Sequence, residues 1–213
     1  MRVPHAPTEV TEAIDGDLFL TVLDEALGAL EDAEIPYVLI GGIGSAVFGR
    51  DRGTRDIDLF VRPETARKVL GVLDERGFET DEFAEHWLFK ARRHGVLVDV
   101  IFRSTRDILL GEEMLERSRL MPFRERTIRV APPEDLVVMK ACAASEDTPR
   151  YWYDAAAIVA QSELDWDYLV ARARQHGPRR LLSLLLFASS IDIVVPSDPI
   201  ESLYETIRSG GSA

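Results

Sequence analysis

Apolar positions along the chain follow first a helical period and then an extended one. Leu18, Val22, Leu23, Ala26, Leu27 and Leu30 recur at helical spacing, and Pro36 closes that segment. Tyr37 to Ile40 is a short apolar run of strand type. Gly41 and Gly42 break it, and Ile43 to Phe48 reads as the start of a helix. After a loop over Gly49 to Thr54, Asp56 to Val61 predicts a strand. Pro63 and Glu64 open a helix to about Arg76, which Gly77 stops. His86 to Ala91 and Val96 to Phe102 predict a hairpin around the turn Arg92 to Gly95, and Met121 to Val130 a further strand pair. From Pro132 the period is helical again. Pro132 to Asp135 cap a helix through Lys140, and Tyr151 to Gln161, Trp166 to His176 and Arg180 to Ser190 predict three more. Leu181 to Val195 reads as a buried helix followed by an extended segment.

This order predicts an α+β (α/β-like) fold, a mixed sheet flanked by helices and followed by a helical part. The expected divisions are a flexible leader over 1–16, a core over 17–131, a helical subdomain over 132–208 and a disordered tail over 209–213. Composition narrows the class only a little. The single cysteine, Cys142, excludes an internal disulfide and suits a reducing cytoplasm. Residues 1–17 carry acids and no apolar stretch of signal-peptide type. Leu181 to Val195, the longest apolar stretch, is interrupted by Ser183, Ser189, Ser190 and Asp192 and is too short to span a bilayer, so no membrane partner is expected. The net charge of −12 repels polyanions at long range and argues against general coating of nucleic acid. Two local basic clusters remain, Arg50/Arg52/Arg55 and Arg172/Arg174/Arg179/Arg180.

Chemistry concentrates in the predicted strand Asp56 to Val61. Side chains alternate across a strand, so Asp56 and Asp58 share a face, about 7 Å apart along it, while Ile57, Leu59 and Val61 face the other way. At roughly 4–6 Å between oxygens and an effective dielectric near 20, the two carboxylates repel by about 3–4 kcal/mol. A hard divalent cation offsets that repulsion and leaves positions open for phosphate oxygens. Asp99 is the one charge inside Val96 to Phe102; if that strand lies beside Asp56 to Val61, it joins the other two. Gly41 and Gly42 follow a strand and open a helix, an arrangement that brings backbone amides close to a phosphate. Ser45 either adds a hydroxyl contact or caps its own turn, and Arg55 is a candidate phosphate contact. Together these residues suggest a nucleoside triphosphate held against metal, the equipment for phosphoryl or nucleotidyl transfer.

The pattern of Gly41-Gly42 followed by Asp56-Ile57-Asp58, with a later acid in an apolar strand, resembles the polymerase-β nucleotidyltransferase superfamily over Val38 to Phe102. That resemblance implies a polymerase-β-type core and transfer of NMP from an NTP to an acceptor hydroxyl. It implies that Asp56 and Asp58 hold Mg²⁺, two ions in all, and that Asp99 is the third carboxylate and helps deprotonate the acceptor. Pro133 to Lys140 and then Arg150 to Asp154 resemble the helical part of AbiEii-like nucleotidyltransferases, which include type IV toxin–antitoxin toxins. This implies a triphosphate contact for Lys140, a supporting role for Asp154, an RNA (tRNA) or protein acceptor and a cognate antitoxin. Antibiotic nucleotidyltransferases share the motif and modify small hydroxylated molecules, and an acidic protein suits a cationic small substrate.

Structural readings stand beside these. Asp99 can be salt-bridged to Arg92 or Arg93, Lys140 can form a purely structural ion pair with Asp154, and the whole can be a non-catalytic nucleotide-binding module. His5, His86, His94 and His176 have no metal-ligand spacing and read as surface or loop residues. Trp87, Trp152 and Trp166 read as core or interface.

Overall fold

The computed structural model describes residues 16–50 and 53–210. The expected leader lies outside these except for Gly16, as do Arg52 and the last three residues of the expected tail.

Helix α1 (Gly16–Asp32) buries Val22, Leu23, Ala26, Leu27 and Leu30 along the stripe its period sets out. Strand β1 (Tyr37–Leu39), helix α2 (Gly41–Phe48) and strand β2 (Asp56–Val61) follow. A 3₁₀ turn over Pro63–Thr65 leads into α3 (Ala66–Glu75). Then come β3 (Glu79–Ala84), β4 (Leu88–Arg93) and β5 (Val96–Ile101), a second 3₁₀ turn at Thr105–Asp107, α4 (Glu112–Arg117), β6 (Arg119–Phe123) and β7 (Arg126–Val130). The chain ends in α5 (Pro133–Ala143), α6 (Arg150–Gln161), α7 (Trp166–His176), α8 (Pro178–Ser190) and α9 (Ser197–Gly210).

The described strands form one seven-stranded sheet in the order β3-β4-β5-β2-β1-β7-β6. Two pairs, β2 with β5 and β1 with β7, are parallel, and the others are antiparallel. The fold is therefore α+β with a mixed sheet and flanking helices, as the order of periods predicts. The expected neighbourhood of β2 and β5 is found, and its register sets Asp58 directly beside Asp99.

One continuous hydrophobic cluster runs from Phe19 to Leu203, across the change from sheet to helices near Pro132. Helix α5 is at its centre, with every residue from Pro133 to Cys142 buried. A helix buried all round has no polar face, so each of its charged side chains needs a partner inside. Glu134 accepts a hydrogen bond from the Asp165 amide at 2.8 Å. Asp135 accepts from the Tyr168 hydroxyl at 2.6 Å and from Arg172 Nε at 2.7 Å. Lys140 meets Asp154 at 3.2 Å. These contacts tie α5 to α6 and α7, and they remove Arg172 from the expected basic cluster. Arg174 is likewise engaged, by Ser202 and Thr206 on α9.

Three elements depart from the sequence reading, and one of them, the short helix α4, falls where no element was read. Strand β3 was not anticipated because Glu79 to Phe83 are all exposed and show no alternation of apolar and polar residues. Helix α9 follows the segment read as extended and was not picked out within the expected helical part. Ile200, Leu203, Tyr204 and Ile207 do have helical spacing there, and Ser209 and Gly210 close that helix rather than opening a tail.

Candidate active site

Strand β2 places its acids by simple alternation: Ile57 and Leu59 are buried, Asp56 is exposed and Asp58 half-buried. On β5, Val96, Val98 and Val100 are buried, and Asp99 lies with Leu97 and Ile101 on the less buried face. Parallel pairing sets Asp58 level with Asp99 and Asp56 level with Leu97. Two carboxylates thus stand abreast, with the third one step along the same face. Burial, and next the Asp99 carboxylate, push the Asp58 carboxyl up to about 6; Asp56 adds to the rise, while the Gly42 amide and Lys140 oppose it. Burial also raises Asp99, against the pull of Lys90.

The glycine pair has a steric reason visible in the fold. Gly41 has φ +59°, and a Cβ there would overlap the Asp58 carboxylate. A Cβ on Gly42 would overlap the Thr54 side chain, and the Gly42 amide donates to Asp58 Oδ2 at 3.3 Å. The missing side chains make room for the acid first, and the same two residues also line the adjoining cleft.

That cleft has a volume of about 810 Å³. It brings together Gly41, Gly42, Arg55, Asp56, Asp58, Asp99 and Lys140 from the sequence reading. Ser45 and Asp154 are not on its wall. Ser45 is buried and its hydroxyl donates to the Gly41 carbonyl at 2.9 Å, so it braces the first turn of α2. Asp154 has no exposed surface and sits behind Lys140. The Lys140–Asp154 ion pair exists, and Lys140 still reaches the cleft, with its ammonium 5.1 Å from the Tyr151 ring centroid.

The cleft also holds residues the sequence reading did not select. Arg150 and Tyr151 open α6 on the Lys140 side, with the Arg150 guanidinium 5.3 Å from the Tyr151 ring. His86, Trp87 and Arg103 lie on the side of β4 and β5. Trp87 is 38% exposed rather than core. Arg55 and Arg150 are exposed, and neither makes an ion pair among the described residues.

Asp99 is not bound to Arg92 or Arg93. Its partner is Lys90, with Nζ 3.0 Å from Oδ1, whereas Arg93 pairs with Glu25 at 2.6 Å. As the side chains stand, no three His, Cys, Asp or Glu residues among those described are gathered closely enough to hold a metal. The donor chemistry nevertheless fits a hard cation. Asp56 and Asp58 supply carboxylate oxygens on one face, and burial, with the Asp99 charge beside it, makes a bare Asp58 carboxylate costly in a way a cation would offset.

A family model described as uncharacterised nucleotidyltransferase matches residues 9–190. No curated protein matches the chain. Among solved structures, the antibiotic-resistance factor ANT(2'')-Ia is similar at 15% identity and TM-score 0.49, over 93% of this chain and 95% of that one. The lincosamide antibiotic adenylyltransferase LnuA, lincomycin-bound, is similar at 15% identity and TM-score 0.49, over 68% of this chain and 98% of that one. An antigenic nucleotidyltransferase-like protein from Paracoccidioides brasiliensis is similar at 17% identity and TM-score 0.44, over 79% and 93% respectively. No helix among the described residues is long and apolar enough to cross a membrane.

Proposed function

The chain belongs to the uncharacterised nucleotidyltransferase family, and from that premise we propose that it moves NMP from an NTP to the hydroxyl of a small, cationic acceptor in the cleft between β2, β5 and α5. The observation that carries the transfer reading is the level placement of Asp58 and Asp99 on parallel neighbours, facing the same cleft as the N-terminus of α2 and Lys140.

In this reading Gly41, Gly42, Lys140, Arg55 and Arg150 hold the triphosphate. Asp56 and Asp58 would hold Mg²⁺, which supplies charge neutralisation at the transferring phosphoryl group and the departing pyrophosphate. The acceptor oxygen attacks the α-phosphorus, the bond from that phosphorus to the pyrophosphate oxygen breaks, and the hydroxyl proton goes to Asp99. The second ion implied by the superfamily resemblance would need Asp99 released from Lys90. Buried Asp154 fixes the Lys140 ammonium and so positions it.

The acceptor enters past Asp99, from the side lined by His86, Trp87 and Arg103. Net charge is −12, and the strand bordering this side carries exposed Glu79 and Asp81. Both features favour a cation over a polyanion. An RNA or protein acceptor with a cognate antitoxin, as the AbiEii-like resemblance implies, is the competing outcome. Each α-labelled NTP is incubated with Mg²⁺ and an aminoglycoside and lincosamide panel, with total tRNA, and with cell extract, beside an Asp56→Asn/Asp58→Asn variant. Label on a small amine, lost in the variant, supports the proposal; label on tRNA or protein transfers it to the toxin-like reading. No label with any acceptor, or label that survives in the variant, defeats it.

A further inference from the structure

Three registers place one row of charges across four strands. Asp81 on β3 is opposite Lys90 on β4, Lys90 is opposite Asp99 on β5, and Asp99 is level with Asp58 on β2. Directly paired residues project to the same face with Cβ atoms about 4.5–5.5 Å apart. Lys90 therefore has a carboxylate on each flank, both within reach of its four-carbon stem. It now binds Asp99 at 3.0 Å, and its ammonium lies 5.0 Å from the ring centroid of Phe83, which also belongs to β3. Asp81 is exposed and makes no ion pair among the described residues. Lys140, by contrast, is buried against an acid with no exposed surface. One lysine of the site is fixed, and the other has an alternative partner.

We propose, resting on the nucleotidyl-transfer reading, that Lys90 is an exchangeable counter-ion for Asp99: it occupies that carboxylate until a divalent cation arrives, then swings to Asp81. Asp81, outside the cleft wall, thereby tunes the metal affinity of a site it does not touch. Lys90 and Asp81 are positioning residues that act through Asp99. No covalent step is involved; one ion pair is exchanged for another along the row.

The test is Mn²⁺ binding to the full chain without nucleotide, followed by electron paramagnetic resonance or calorimetry. Lys90→Met removes the competitor and is expected to tighten Mn²⁺ by ~10-fold, the scale of one charge-assisted hydrogen bond. Asp81→Asn removes the alternative berth and is expected to weaken it several-fold. Glu79→Gln removes the same charge from the same strand, opposite Arg92 rather than Lys90, and controls for long-range electrostatics. In the Lys90→Met background Asp81→Asn should have no effect beyond that of Glu79→Gln. Equal effects of Asp81→Asn and Glu79→Gln in the wild-type background overturn the exchange, and so does weaker binding in a folded Lys90→Met. If Lys90→Met does not fold, the comparison of Asp81→Asn with Glu79→Gln alone decides. Absence of Mn²⁺ binding in the wild type overturns the transfer reading together with this proposal. Binding that is lost in Asp56→Asn but indifferent to Lys90 and Asp81 overturns this proposal alone.

Discussion

Asp58→Asn is expected to make the metal-free protein more stable while abolishing transfer. The Asp58 carboxyl rises from its ordinary 3.8 to about 6, chiefly through burial and the Asp99 charge. Two units at about 1.4 kcal/mol each place an upper bound near 3 kcal/mol on the cost of its charge at neutral pH. Partial access to solvent screens this, so a gain of about 1–3 kcal/mol is expected. Asparagine keeps a carbonyl oxygen to accept from the Gly42 amide, so little is lost in return. The pH dependence has a definite sign. A carboxyl whose pKa is higher folded than unfolded holds its proton more tightly in the fold. Its stabilising contribution is complete below about 4 and is lost as pH rises through about 6. The advantage of the variant should thus be full at pH 7.5 and shrink by more than half by pH 4.5. Urea unfolding at both pH values, in chelator, measures it; a gain corresponds to a Tm rise of roughly 2–4 °C per kcal/mol for a chain of this size. Mg²⁺ should raise the Tm of the wild type and leave the variant unmoved. A variant no more stable at pH 7.5, or equally favoured at both pH values, refutes the claim that burial and the Asp99 charge make the Asp58 carboxylate costly.

Gly41→Ala places a Cβ on the Asp58 carboxylate at a positive φ, so a stability loss of about 1–3 kcal/mol by denaturant titration and loss of transfer are expected. Asp154→Ala removes a buried carboxylate that meets the Lys140 ammonium at 3.2 Å, and should lower stability in urea unfolding. Arg150→Ala touches an exposed guanidinium that makes no ion pair among the described residues, so Tm should stay within about 2 °C while the KM for NTP rises several-fold. Trp87→Ala should raise the KM for the acceptor and leave NTP affinity unchanged, which equilibrium binding of a fluorescent NTP would show.

Much of the acid face was legible because alternation in β2 and β5 needs only local pattern. The charge on Asp99, set among buried valines, needed no structure to stand out. Its partner was read as Arg92 or Arg93, nearer in sequence, whereas the hairpin register selects Lys90. His94 and Gly95 have φ values of 50° and 80°, as a two-residue hairpin turn requires. Pairing outward from that turn brings Arg93 to Val96 and Lys90 to Asp99. Arg92 shares that face but stands opposite Leu97, and Arg93 turns to the other face and Glu25. Ser45 was left open between two roles: a hydroxyl in a first helical turn can serve a ligand or its own backbone, and only burial separates the two. Trp87 and Arg150 reach the cleft through long-range packing of a turn and a helix start, which no local period encodes. Strand β3 is held by its pairing with β4 rather than by apolar burial, so its composition is silent.

The full enclosure of α5 has a consequence for how this enzyme can be divided. The cleft wall bearing Lys140 is also the keel on which α6, α7 and α8 are laid, and it shares its apolar surface with the sheet. A chain cut after residue 131 would lose that wall and leave the sheet's inner apolar surface wet. The wall of the cleft and the folding core are here the same helix, so split or domain-shuffled versions would have to carry α5 with the sheet, and its three buried charges with their partners.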